Sequence, residues 1–172
     1  MTPLGTKLRP DPSAGETPSR SELFSLYERD ETAWLELMSR LITEKQHDQL
    51  DYENLASYLN DMAIRDRREV NSRLIQLMLH VLKWIHQPAQ RTKSWFNSIK
   101  EQRLELQDLL KSKVLEEHAR INLAELYGKA RAWAQEETGK ASLPEEPLTL
   151  VQLLADGFPQ DLAWASQRRR KK

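Results

Sequence analysis

The chain has 172 residues, 39% hydrophobic and 30% charged, which fits one ordinary domain with its own core. It contains no cysteine, which excludes a disulfide framework, a thiolate metal site and a cysteine nucleophile and matches a reducing cytoplasm. Its 26 Lys+Arg balance its 26 Asp+Glu unevenly: residues 80–103 carry a net +4 and the tail Arg168-Arg169-Arg170-Lys171-Lys172 adds +5, so the remainder sums to −9.

Residues 1–20 hold Pro3, Pro10, Pro12 and Pro18 with Gly5 and Gly15 and few apolar groups, the composition of a disordered lead-in. Nothing there has the apolar core of a secretory signal, and no apolar run in the chain approaches the roughly 20 residues that a membrane helix needs. From Ser21, the apolar series Leu23, Tyr27, Trp34, Met38 and Leu41 predicts one helix ending near Gln46-His47-Asp48, with Asp30 inside its apolar stripe. Asp51 is placed to cap the next helix, which carries Leu55, Leu59 and Met62 on one face. The charged stretch Arg65-Asp66-Arg67-Arg68-Glu69 then leads into Val70, Leu74, Leu77, Met78, Val81 and Ile85. No glycine or proline interrupts residues 51–86, so periodicity leaves one long helix and two shorter ones equally open.

Pro88 ends that stretch, because proline lacks a backbone donor and pushes Gln87 out of helical geometry. A hydroxyl among Thr92–Ser94 can cap the next helix, whose apolar side reads Trp95, Ile99, Leu106, Leu109 and Leu110, with Gln102 among them. Residues 80–103 therefore read as a helix–turn–helix corner with Trp84 and Trp95 packing near the turn. A further helix over about 114–137 carries Leu115, Ile121, Ala124, Tyr127, Ala130 and Ala134, with Gly139 as its stop. Pro144 and Pro147 mark a loop, and Thr149–Asp156 reads as a short last helix before a basic tail over 161–172.

The segments LYERDETAW (26–34), LDYENL (50–55), RREVNSRL (67–74), HVLKWIHQPAQRTKSWFNSIKEQR (80–103), ETG (137–139) and PLTLVQLL (147–154) resemble those of domain-of-unknown-function family twenty-nine, a set of bacterial helical proteins. The resemblance covers about residues 21–160 and is most specific over 80–103. It implies a compact all-α fold and no established activity. The chain departs from the family pattern at Ser57 and Tyr58, where acidic residues are frequent, and at Lys113-Val114, where a proline-containing break is frequent.

Candidates for chemistry are few. The four histidines, His47, His80, His86 and His118, include no i, i+4 pair, and no HExxH, glycine-rich phosphate loop or GxSxG elbow occurs, so no metal or cofactor is expected. Arg73 and His80 lie about two turns, or roughly 10 Å, apart along one helix. Their spacing resembles the Arg-x(4–6)-His signature of the HEPN class of helical ribonucleases, in which an arginine would stabilise phosphorane charge and a histidine move protons. Lys83, Arg91, Lys93, Lys100 and Arg103 beside Trp84, Trp95 and Phe96 offer phosphate-neutralising charge and stacking rings, the footprint of nucleic-acid binding. Asp30, His80 and Gln102, with Arg103, fall on apolar stripes and are expected in a buried hydrogen-bond network that sets helix register.

The expected fold is all-α: a single compact bundle over residues 21–160 with about five main helices and a short C-terminal one. The leading functional expectation is a small cytoplasmic interaction module that binds a protein partner or itself, rather than an enzyme. The alternatives are a nucleic-acid accessory protein using the 80–103 corner and, behind it, a HEPN-like ribonuclease using Arg73 and His80.

Overall fold

The computed structural model describes residues 19–139 and 142–159. The basic tail and all of the expected lead-in except its last two residues lie outside the described part. Helices are α1 (Arg20–Arg29), α2 (Glu31–Thr43), α3 (Tyr52–His86), α4 (Lys93–Leu109), α5 (Lys113–Thr138) and α6 (Leu150–Leu154), with short 3-10 turns at His47–Gln49 and Pro88–Gln90. No strand occurs among the described residues. The fold is all-α with five main helices and a short last one, as expected.

The count of five is reached by a different division of the chain. The predicted first helix is two, broken at Asp30, while residues 52–86 form one helix of 35 residues. Asp30 leaves helical geometry (φ −150°, ψ 81°); its amide still closes α1 on the Leu26 carbonyl at 2.8 Å, and its carboxylate accepts from the Ala33 amide at 3.0 Å. A short acidic side chain competes with the helix for backbone donors, and here it ends one helix and starts the next. α1 begins at Arg20 rather than Ser21 because Ser19 and Glu22 form a reciprocal capping box.

The chain divides into two compact units, one ending at Asp61 and the other beginning at Met62. In the first, Leu23, Trp34, Met38 and Leu41 are buried, with Tyr27, Leu55 and Tyr58 packed against them. Trp34 meets Tyr27 edge-on at 4.8 Å between ring centroids and Tyr58 at 6.1 Å. Asp51 is buried in this unit. It caps α3 through the Asn54 amide (3.3 Å) and also accepts from Trp34 Nε1 (3.3 Å) and Asn54 Nδ2 (2.7 Å). α2 ends in a Schellman turn: Lys45 is left-handed (φ 60°), with Gln46 N–H on the Leu41 carbonyl at 2.9 Å and Lys45 N–H on the Ile42 carbonyl at 3.1 Å.

The second unit buries Val70, Leu74, Leu77, Met78, Val81 and Trp84 of α3 against Ile99 and Leu106 of α4 and Leu115, Ala119, Leu126, Tyr127, Ala130 and Ala134 of α5. Gln87 leaves the helix before Pro88, and Thr92 caps α4 by accepting from the Trp95 amide at 3.2 Å. Gly139, left-handed at φ 65°, stops α5. Two expected faces are corrected. Leu59 and Met62 are exposed, and so are Ile121 and Ala124; the inward row of α5 runs instead through Ala119 and Leu126. Ala119 lies one turn above Leu115 and Leu126 one turn below Ala130, so those four residues share a face that Ile121 does not.

Candidate functional site

α3 and α4 run side by side from the Pro88 corner, and their seam carries the polar residues that the sequence singles out. Farthest from the corner, the Arg73 guanidinium donates to Glu69 on its own helix (2.8 and 2.9 Å) and, across the seam, to Gln102 Oε1 at 3.3 Å, with the Glu105 carboxylate at 3.4 Å. Nearer the corner, His80 Nδ1 lies 2.8 Å from the Gln76 carbonyl and 3.4 Å from Ser98 Oγ. A carbonyl only accepts, so Nδ1 carries the proton in the neutral ring and Nε2 is the open acceptor. On the α3–α5 side, His118 Nε2 sits 2.9 Å from Asn71 Oδ1, while Asn122 Nδ2 donates to the His118 carbonyl at 2.7 Å.

This geometry divides the sequence's candidates. His80 and Gln102 do bridge helices. Asp30 does not: it is exposed, and its carboxylate is a helix cap. Arg73 and His80 have separate partners on α4, and the Arg73 guanidinium is already matched by two carboxylates, an arrangement that leaves it little attraction for a phosphate.

The basic corner is largely turned to internal use. Lys83, with a side chain only 11% exposed, pairs with Glu137 and lies 4.6 Å from the centre of the Trp95 ring. Arg91 stacks over Trp84 at 5.0 Å and donates to the Trp84 carbonyl at 2.9 Å. Trp84 is fully buried and packs on Phe96 at 6.3 Å, and Trp95 and His80 are half-buried. Lys93 and Lys100 are exposed.

Arg103 is the main correction to the basic set. It is 4% exposed, and its Nε donates to the Leu153 carbonyl at 2.6 Å while Nη2 donates to the Phe158 carbonyl. Burial lowers its pKa, opposed by the charge of Asp156, and the guanidinium stays cationic. Its role is to hold residues 142–159, a strap laid against α4 and α5. Gln107 Nε2 donates to the Leu154 carbonyl (3.3 Å), Tyr127 OH to the Pro144 carbonyl (3.0 Å) and Arg131 Nε to the Leu143 carbonyl (3.1 Å). The same burial raises the Tyr127 phenol above its ordinary value. Sequence reasoning missed this clasp because a backbone acceptor leaves no residue type to read.

The family model described as Domain of unknown function DUF29 matches residues 26–159. The chain belongs to this family. The DUF29 match therefore takes in the α3–α4 seam and the whole strap, ending at the buried Pro159 just past the carbonyl that Arg103 holds. No curated protein and no solved structure matches the chain. No helix among the described residues is long and apolar enough to cross a membrane.

Proposed function

We propose that this DUF29 chain is a small helical interaction module of the bacterial cytoplasm that associates with a second copy of itself through the outward face of α5. The observation that carries this reading is that α5 is apolar on two opposite sides. Its inner row is buried, yet Val114 and Ile121, two turns apart, are 62% and 69% exposed, and the exposed Ala124, Gly128 and Ala132 continue their row. Gly128 has no neighbour within 4 Å of where a Cβ would stand, so the packing of the chain itself does not require a glycine at a mid-helix position. The flanking charges are paired on the helix, Arg120 with Glu117 (2.6 Å) and Lys129 with Glu125 (2.7 Å), so two such faces meet without like-charge repulsion. The cysteine-free composition supports a reducing compartment. Light scattering across a concentration series tests the reading: the native chain dimerises and Ile121→Asp does not, with an unchanged melting temperature. A monomer at every concentration overturns it.

A second reading, nucleic-acid binding, rests on Lys93 and Lys100, seven residues apart on the open side of α4. It requires weak, strongly salt-dependent retention of an oligonucleotide at low ionic strength, reduced in Lys93→Gln/Lys100→Gln; no retention removes it.

A further inference from the structure

We draw no further inference here: the strongest candidate, the apolar surface patch on the first turns of α3 where Tyr52 and Leu59 lie two turns apart and are each 62% exposed, carries nothing because nothing in the structure shows what covers it.

Discussion

The unit ending at Asp61 and the unit beginning at Met62 build their interiors by different means. Among the described residues, the second encloses a cluster of eighteen buried apolar side chains, with its one buried charge, Arg103, held at the strap by main-chain carbonyls. The first encloses four and places a carboxylate at the centre: Asp51 caps α3, anchors the Trp34 indole and holds Asn54. A segment with little apolar area to bury gains less from the hydrophobic effect, so each directed bond carries a larger share of its stability. A large core tolerates the loss of one polar contact, whereas a small one built around a single acceptor does not.

That contrast can be broken or sharpened by substitution. The largest effect is expected for Trp34→Ala, a loss of about 3–5 kcal/mol read by denaturant unfolding, with amide protection lost chiefly over α1, α2 and the start of α3. Equal loss of protection over residues 70–85 would contradict the contrast. Asp51→Ala should cost about 2 kcal/mol, since it removes a helix cap and leaves the buried indole N–H without its acceptor. In the larger unit, Tyr127→Phe removes one hydrogen bond while keeping the ring and should cost only about 1 kcal/mol. It should also change the alkaline limb. The folded phenol titrates above its unfolded value of about 10, so the native chain loses stability as pH rises from about 10 through the folded pKa, and the phenylalanine variant loses less over the same window. The smallest effect is expected at Lys45, a non-glycine residue at φ 60°: Lys45→Gly should stabilise the chain slightly, by about 0.5 kcal/mol, read as a small rise in the unfolding midpoint.

Much of this fold is legible in the sequence where a backbone constraint is strong. Pro88 cannot continue a helix, Gly139 accepts a left-handed stop, and Thr92 and Asp51 offer their oxygens to the first turn, all as the structure has them. The break at Asp30 was hidden because the apolar stripe stays in phase across it: Tyr27 and Trp34 are two turns apart and remain in contact after the chain leaves helical geometry. The faces of α5 were hidden for the opposite reason, since the helix has apolar residues on two sides and periodicity does not say which is covered. His80 and Gln102 are half-buried at the α3–α4 seam, where each has a polar partner on the facing helix; the burial of Asp51 is illegible in the sequence because its indole partner lies on another helix. Arg103 reads in the sequence both as a member of the basic patch and as a polar residue on an apolar stripe; the structure has it buried, and its acceptors are illegible because they are main-chain carbonyls far along the chain.

The acceptors that Arg103 requires come from residues 153 and 158, made 50 and 55 positions later than the arginine itself. On a ribosome, α4 therefore emerges with a guanidinium whose acceptors are not yet made, and burying it is unfavourable until translation has delivered the strap. Burial of this guanidinium thus follows the order of synthesis: a stretch made after α4 and α5 supplies the oxygens that let it leave water.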